Sequence, residues 1–340
     1  MLSFLNDYSE TACSEIIRRL QTFGTEKNPG YGSDTYTETA KQKIRDACAC
    51  PGASVYFLVG GTQTNAAVLD TILRLYEGVI AAETGHINVH ESGAVEFTGH
   101  KVLSLPNHAG KIDPSELSQY LQSFFAEPTY EHMVIPGAVY LSQPTEYGTL
   151  YSKAELTEIR RITEEYGIRL YLDGARLGYA LAAPGNDLFL PDLSKLCDAF
   201  YIGGTKQGAL FGEAVVFPKE APKHFLSIMK QHGALLAKGF LLGLQFDTLF
   251  TDGLYVRLAK RAVDLSVRLR EIFREKGYRI EPETVTNQSF VVIDKTRAEE
   301  LSREVLFEYW CPYSETENVY RFVCGVTTAA EDIEKLAEYL

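Results

Sequence analysis

A lysine surrounded by glycines is the strongest chemical signal in this sequence. Lys206 lies in the segment YIGGTKQG, residues 201–208, directly after an apolar run that predicts a buried strand. Glycines let the backbone approach a ligand closely. A lysine that loses its water there has a lowered pKa, and its neutral amine is a nucleophile toward carbonyl groups. A solvated loop lysine is the alternative, and this segment alone does not decide between the two.

An aspartate ends another apolar run in the segment YLDGAR, residues 171–176. Asp173 is therefore predicted at the carboxyl edge of a sheet, which is where ligands bind in open α/β folds. A carboxylate buried in such a crevice needs a cationic partner. Arg176 could be that partner in a plain ion pair, and a protonated ring nitrogen of a ligand would serve equally well.

A third signal is the segment GGTQTN, residues 60–65, which follows one predicted strand and opens a helix. Glycines and hydroxyls at a helix N-terminus can hold a phosphate through free N–H groups and the helix dipole. An ordinary turn and helix cap is the alternative. The segment does not match GxGxxG, so a dinucleotide cofactor is disfavoured.

Two histidines, His86 and His90, stand four residues apart in a glycine-containing segment. This spacing could place both on one helix face as metal ligands, but no third ligand is evident and we predict no metal site. An imidazole stacked on a flat ligand, or a structural histidine, fits the pattern better.

The order of these four features along the chain resembles that in the pyridoxal-phosphate enzymes of the aspartate aminotransferase fold. The features are the phosphate-binding segment, His86, Asp173 and Lys206. The closest resemblance is to the low-specificity threonine aldolases and related β-eliminating lyases, and it runs from about residue 6 to 336. It implies a PLP-dependent transferase fold (fold type I) and the cofactor pyridoxal 5'-phosphate. Lys206 would hold that cofactor as a Schiff base.

The resemblance also implies roles for the other cofactor-binding residues. Asp173 would keep the ring nitrogen protonated, so that the ring is an electron sink, and His86 would stack on the ring. Gly61 and Thr62 would hold the phosphate, Gln63 could help them, and Thr205 would be a further cofactor-binding residue.

The substrate-binding residues implied by the resemblance come from distant parts of the chain. Arg176 would lie near the ring hydroxyl and the substrate carboxylate, and Arg321 would clamp that carboxylate, a surface arginine on a strand being the alternative. Ser9 would also reach the carboxylate, or else cap a helix. Tyr31 would lie in a segment that family members contribute to the active site of the neighbouring subunit. Lys238 would face a phosphate in the partner subunit, and a solvated lysine is the alternative. A homodimer or homotetramer with shared active sites is therefore implied.

One segment departs from the family pattern. Many threonine aldolases carry a second active-site histidine in a Glu-Asn-Thr-His-Asn stretch, whereas this chain has LSQPTEYG at residues 141–148. If that histidine activates the β-hydroxyl of the substrate, then Gln143, Thr145, Glu146 or a water must replace it, or the reaction differs.

The expected function is a PLP-dependent lyase that cleaves threonine or allo-threonine to glycine and an aldehyde by retro-aldol chemistry. A β-eliminating lyase or an aminotransferase acting on another amino acid is the alternative. A non-catalytic binding protein on the same scaffold is the competing class, and the joint presence of Asp173 and Lys206 argues against it.

The elements that must position these residues follow an α/β pattern. Short apolar runs alternate with amphipathic segments between residues 55 and 217, which predicts a mostly parallel sheet covered on both faces. The predicted strands are 55–59, 138–142, 168–172, 199–202 and 214–217. The predicted helices are 62–76 and 152–166, the second with a Ser152–Glu155 capping box.

The pattern changes after residue 221. A mostly helical stretch ends with a helix over 254–275, and the last 60 or so residues predict strands at 290–293 and 320–323 and a helix at 329–340. We therefore expect a large cofactor-binding domain over residues 15–245. Residues 1–14 and 246–340 would form a smaller α+β domain.

Composition limits the kinds of partner and location. The 340 residues carry a net charge of −12, which argues against a nucleic-acid partner. No apolar run of about 18 residues exists, so no membrane span is expected. Six scattered cysteines are typical of reduced thiols in a cytoplasmic protein.

Overall fold

The computed structural model describes all 340 residues, which form thirteen strands and fourteen α-helices. The strands are β1 (Leu2–Ser3), β2 (Ser54–Leu58), β3 (Glu77–Ala82), β4 (Val102–Leu105), β5 (Ile135–Ser142), β6 (Arg169–Asp173), β7 (Ala199–Gly203), β8 (Glu213–Phe217), β9 (Arg279–Ile280), β10 (Gln288–Asp294), β11 (Val305–Leu306), β12 (Glu308–Pro312) and β13 (Glu317–Val323). The helices are α1 (Ser14–Phe23), α2 (Thr35–Ala47), α3 (Gly61–Ile72), α4 (His86–Val89), α5 (Ala94–Phe97), α6 (Pro114–Ala126), α7 (Lys153–Glu165), α8 (Leu177–Ala182), α9 (Leu190–Leu196), α10 (Phe225–Gln231), α11 (Phe240–Leu249), α12 (Leu254–Glu275), α13 (Lys295–Leu301) and α14 (Ala330–Tyr339).

A seven-stranded sheet lies at the centre, in the order β2-β8-β7-β6-β5-β3-β4. Only β8 runs against its neighbours, so the prediction of a mostly parallel sheet is confirmed. Alternate residues of one strand enter different cores, because side chains alternate across a sheet. In β6, Leu170 and Leu172 join one buried cluster and Tyr171 joins the other. This explains why the strands are apolar throughout: both faces are covered.

The five strands predicted in this region all form, each within a few residues of the predicted bounds. Two strands, β3 and β4, were not predicted. The helix predicted over 62–76 is shorter, since α3 ends at Ile72 and Leu73 is already extended. Residues 74–76 instead form the turn that leads into β3.

The capping box that was predicted at the start of α7 is present. The Ser152 hydroxyl accepts a hydrogen bond from the Glu155 amide at 3.2 Å, and the Glu155 carboxylate accepts one from the Ser152 amide at 2.7 Å. This helix follows β5 and covers the sheet next to the candidate site.

The C-terminal part is built around α12 and an antiparallel sheet. Helix α12 spans the predicted residues 254–275, and it starts after Asp252 and Gly253, which both have positive φ angles. The sheet has the order β12-β13-β10-β9, and α14 closes the chain. Strand β1 pairs in parallel with β11, so the N-terminus packs with this part. None of the helices is both long and apolar enough to cross a bilayer.

Candidate functional site

Two adjoining cavities open where β5, β6 and β7 end. The first has a volume of about 250 Å³ and is lined by the phosphate-binding segment, the end of β6 and the lysine loop. The second, of about 270 Å³, lies on the side of β12 and β13. Four side chains line both cavities: His86, Glu146, Arg176 and Lys206. The carboxyl edge of the sheet is thus the candidate site, as predicted.

Asp173, the last residue of β6, lies buried at the floor of the first cavity. Its carboxylate accepts hydrogen bonds from the Tyr140 hydroxyl at 2.6 Å, the Asn65 amide at 3.0 Å and the Ala175 backbone N–H at 2.9 Å. Burial alone would raise its pKa, but the His86 imidazole and the Tyr140 hydrogen bond outweigh that effect and lower the pKa. The acid therefore stays ionised, although it forms no ion pair within the chain.

Lys206 enters the same cavity from the loop after β7. Its Nζ atom forms no ion pair within the chain and lies 5.9 Å from the ring centre of Tyr8. Burial, with the nearby charge of Arg176, lowers the pKa of this amine. The buried carboxyl of Glu213 lines the cavity as well, and burial raises its pKa. The site thus holds an amine that is readily deprotonated, which is what a carbonyl-binding lysine requires.

His86 is held in place by a chain of hydrogen bonds that leads to Asp173. Its Nδ1 atom lies 2.6 Å from the Glu91 carboxylate. The Asn65 amide donates to Glu91 at 2.7 Å as well as to Asp173, and it accepts a hydrogen bond from the Tyr171 hydroxyl at 2.9 Å. The orientation of the imidazole and the position of the buried acid are therefore coupled.

The glycine-rich segment before α3 forms one wall of the first cavity. Gly61 is the first residue of α3, so backbone N–H groups at this end have no partner inside the helix. A Cβ atom on Gly61 would lie 3.1 Å from the Tyr201 hydroxyl, which leaves little room for any other residue. Thr62 lines the cavity and is exposed. This geometry suits an anion.

The side chain of Gln63, whose help in phosphate binding stays a prediction, is engaged outside the cavity. Its amide accepts a hydrogen bond from the Val59 backbone N–H at 3.2 Å and donates one to the His232 carbonyl at 2.9 Å. Both ends of the side chain are therefore bound to backbone, and Gln63 does not line the cavity. Thr205 does line it, and its hydroxyl accepts a hydrogen bond from the Gly212 N–H at 2.9 Å.

Arg176 does not form an ion pair with Asp173. That ion pair was one of the two alternatives given for the partner of Asp173. Arg176 forms a two-pronged ion pair with buried Asp7, from Nε at 2.7 Å and Nη2 at 2.9 Å. The Asn287 amide donates to the same carboxylate at 2.9 Å. Because Arg176 lines both cavities, this contact fixes a cation between them.

Arg321, on β13, brings a second cation to the second cavity. Its guanidinium donates to the Gln288 side chain at 3.0 Å and pairs with Glu308 on the adjacent strand. It also lies over the ring of Trp310, 5.4 Å from the ring centre. The Arg321 side chain is 8% exposed and that of Glu308 is 42% exposed, so the arginine is fixed and its counter-ion borders solvent.

Besides Gln63, three predicted residues lie outside both cavities: Ser9, Tyr31 and Lys238. Ser9 is exposed, and its neighbour Tyr8 lines the second cavity instead. Tyr31 is half exposed and lies on a different groove. The structure of one chain therefore leaves their predicted roles untested.

His86 and His90 are close neighbours in space. Their rings lie 5.6 Å apart, tilted against each other, and both face the second cavity. No group of three or more histidine, cysteine, aspartate or glutamate side chains in the chain is placed to hold a metal ion.

The first cavity fits pyridoxal phosphate. Asp173 is a buried anion without a cation, which suits a protonated ring nitrogen. Lys206 is an unpaired amine beside it, and the start of α3 offers a place for the phosphate. These three groups line one cavity of about 250 Å³.

Comparison with known proteins decides the family. A model of the β-eliminating lyase family matches residues 4–296. The chain belongs to the β-eliminating lyase family. A solved structure of a threonine aldolase from Leishmania major superposes with a TM-score of 0.96 at 37% identity, covering 99% of this chain and 98% of that one. A low-specificity L-threonine aldolase of Pseudomonas aeruginosa is 28% identical over 98% of this chain and 95% of its own length.

A more distant structure supports the fold alone. Thermus thermophilus aspartate aminotransferase superposes with a TM-score of 0.71 at 16% identity, covering all of this chain and 90% of that one. The expected PLP-dependent transferase fold is thus confirmed, and with membership in the β-eliminating lyase family the expected lyase class and the cofactor pyridoxal phosphate are confirmed as well.

Several residues of the site were not assigned a role from the sequence. Asp7, Tyr140 and Glu91 each hold a predicted residue through a hydrogen bond or ion pair. Glu91 stands five residues after His86, a spacing that could have indicated the contact. Asp7 lies far from Arg176 in the chain, and no local pattern indicates that pair.

Proposed function

We propose that this β-eliminating lyase family member cleaves a β-hydroxy-α-amino acid, threonine or allo-threonine, to glycine and an aldehyde. The observation that carries the proposal is the pair of adjoining cavities, one fitted for the cofactor and one lined by two arginines. The names of the Leishmania and Pseudomonas relatives, both threonine aldolases, support this choice of substrate.

The cofactor side of the mechanism depends on three residues. Bound pyridoxal phosphate supplies an electron sink for the negative charge that develops at Cα. Asp173, ionised and held by Tyr140 and Asn65, keeps the ring nitrogen protonated. His86, fixed by Glu91, would pack on the ring of the cofactor, and Lys206 would hold the cofactor through its amine.

The substrate side depends on the two arginines. Arg321 binds the substrate carboxylate, because a guanidinium presents paired donors that match a carboxylate. Arg176, held by Asp7, lies between the cavities and would support the same carboxylate and the ring hydroxyl of the cofactor. A carboxylate fixed in this way would fix the orientation of the bonds at Cα, and preset orientation of this kind contributes several kcal/mol to selectivity. We propose Ser9, whose neighbour Tyr8 lines the second cavity, as a further contact to the carboxylate.

A product panel tests the proposal. The purified protein is expected to convert threonine or allo-threonine to glycine and acetaldehyde, measured by amino-acid analysis and an aldehyde assay. Lys206→Ala is expected to abolish turnover, because the amine that holds the cofactor is lost. Pyruvate formed from serine instead would indicate β-elimination, and amino transfer to a 2-oxo acid would indicate an aminotransferase. Absence of any turnover would favour a binding protein.

We also propose that the chain works as a homodimer or homotetramer with shared sites. Tyr31 and Lys238 lie outside the cavities of their own chain, which is consistent with service to a neighbour. Tyr31 borders an apolar groove of about 400 Å³, and Lys230 Nζ lies 4.5 Å from the centre of its ring. A cytoplasmic location is proposed as well, since all six cysteines are free thiols.

A further inference from the structure

Glu146 is the one acidic side chain that lines both cavities. It follows β5, and its Oε1 atom accepts hydrogen bonds from the His86 backbone N–H at 2.9 Å and the Ser142 hydroxyl at 2.7 Å. Its second oxygen, Oε2, accepts no hydrogen bond from the chain. One oxygen is thus fixed by the protein, and the other is available to a ligand.

The neighbouring polar residues of this segment are engaged elsewhere. Buried Gln143 accepts a hydrogen bond from the Tyr151 backbone N–H at 2.9 Å and donates to the Tyr151 carbonyl at 3.2 Å. The Thr145 hydroxyl lies 2.7 Å from the Thr149 hydroxyl and also accepts from the Thr149 N–H at 3.3 Å. Both side chains are thus hydrogen-bonded within the chain, and neither carries a carboxylate that could take up a proton.

The surroundings of Glu146 suit a proton acceptor. Burial raises the pKa of its carboxyl, and the negative charge of Asp173 raises it further, while the His86 imidazole acts in the opposite direction. A carboxylate with a raised pKa is a stronger base than an exposed one. Ser142, which holds Glu146, also lies 3.3 Å from the Tyr140 hydroxyl that donates to Asp173. The base is therefore connected to the cofactor side of the site.

We propose that Glu146 is the catalytic base that accepts the β-hydroxyl proton of the substrate at its Oε2 atom. This inference rests on the proposed aldolase function. The proton moves from the hydroxyl oxygen to Oε2, and the electron pair of the O–H bond forms the second C–O bond of the aldehyde. The Cα–Cβ bond breaks, and its electron pair remains with Cα. The aldehyde leaves, Cα takes up a proton to give glycine, and Glu146 returns its proton to water.

Glu146→Gln in the holoenzyme tests this role. Glutamine keeps an oxygen that can accept from Ser142 and His86, but it does not take up a proton. Three quantities are measured: the rate of threonine cleavage, the exchange of the glycine α-proton with deuterated solvent by NMR, and glycine binding from the visible absorbance of the cofactor. We expect cleavage to fall by about 100-fold or more. Exchange and binding are expected to stay unchanged, because neither involves a β-hydroxyl group.

Glu83→Gln is the matched control. Glu83 is exposed at the end of β3, lies outside both cavities, and accepts a hydrogen bond from Asn107 at 2.7 Å. Its substitution removes the same charge near the site and is expected to leave cleavage unchanged.

Three outcomes separate the possibilities. Cleavage by Glu146→Gln at the wild-type rate overturns the role of Glu146, and so does an equal loss of cleavage and exchange, which reports general damage. If the wild-type protein exchanges glycine protons but cleaves no β-hydroxy amino acid, the proposed function itself fails. If Glu146→Gln does not fold, Glu146→Asp replaces it. Its shorter side chain withdraws the carboxylate, so the same loss of cleavage is expected, and wild-type cleavage overturns the role.

Discussion

Asp7 illustrates how a single buried carboxylate connects distant segments at this site. It accepts two hydrogen bonds from Arg176, which follows β6, and one from Asn287, which precedes β10. Its side chain is fully buried, and that of Arg176 is 12% exposed. Removing one member of such a pair leaves the other charge buried without a partner. Breaking the pair is therefore costly, and its geometry holds Arg176 between the cavities.

Asp7→Asn is expected to lower the free energy of unfolding by about 3–5 kcal/mol, since the charge of Arg176 then stays uncompensated. Urea unfolding at neutral pH measures the change. Asp264→Asn is the control, because the exposed Lys260–Asp264 pair lies on the surface of α12 and such pairs contribute about 0–1 kcal/mol. Equal effects of the two substitutions would contradict the assignment.

The effect of Asp7→Asn on the free energy of unfolding is expected to depend on pH. Burial works against ionisation of Asp7, but Arg176 outweighs it and lowers the pKa to about 2. A lowered pKa gives stability that is complete above the ordinary value of 3.8 and is lost as the pH falls toward 2. The difference in unfolding free energy between wild type and Asp7→Asn should therefore be smaller at pH 3 than at pH 5. A constant difference would contradict the lowered pKa.

Local sequence patterns identified the candidate residues of the site more successfully than they identified the hydrogen-bond and ion-pair partners of those residues. Lys206, Asp173 and His86 each stand in a distinctive segment, and the structure brings them to one cavity. Gln63 also stands in such a segment, yet its amide is bound to backbone atoms of Val59 and His232. A hydrogen bond to a residue far along the chain leaves no periodic signal, so this outcome could not be read from the sequence.

At the scale of elements, the apolar strands flanked by turns could be predicted from the sequence. Two strands of the large sheet, β3 and β4, could not. Strand β3 contains a glycine and ends in two alanines, residue types that are depleted in strands. Strand β4 has only four residues and lies at the edge of the sheet. Both form because neighbouring strands and helices cover them, so their stability comes from tertiary packing rather than from local propensity.

The start of α7 is an element whose stability can be measured through one side chain. Ser152→Ala removes the hydroxyl that accepts from the Glu155 amide, and it should lower the unfolding free energy by about 1 kcal/mol. Ser14→Ala is the control, because Ser14 is exposed in the first turn of α1 and caps no helix. Equilibrium unfolding in urea measures both variants. A Ser152→Ala protein as stable as the control would show that the cap is dispensable.

At the scale of the whole molecule, the N-terminal segment links the C-terminal part of the chain to the large sheet beside the site. Strand β1 pairs with β11, and Asp7 then reaches Arg176 beside the large sheet. We propose that residues 15–245 form the cofactor-binding domain and that residues 1–14 and 246–340 form the smaller one. The site between them depends on both, because the first cavity is lined by the larger part and Arg321 comes from the smaller.

Assembly is the remaining prediction at this scale. We propose the apolar groove that contains Tyr31 as the subunit contact. Leu226 is 49% exposed on this groove, and Leu226→Asp would place a charge in it. The variant is expected to sediment as a smaller species than the wild type and to retain less cofactor, because Lys238 and the Tyr31 segment no longer reach a neighbour. Val256→Asp, on α12 outside the groove and 42% exposed, is the control. A wild-type protein that sediments as a single chain and still turns over substrate would show that each site is complete by itself.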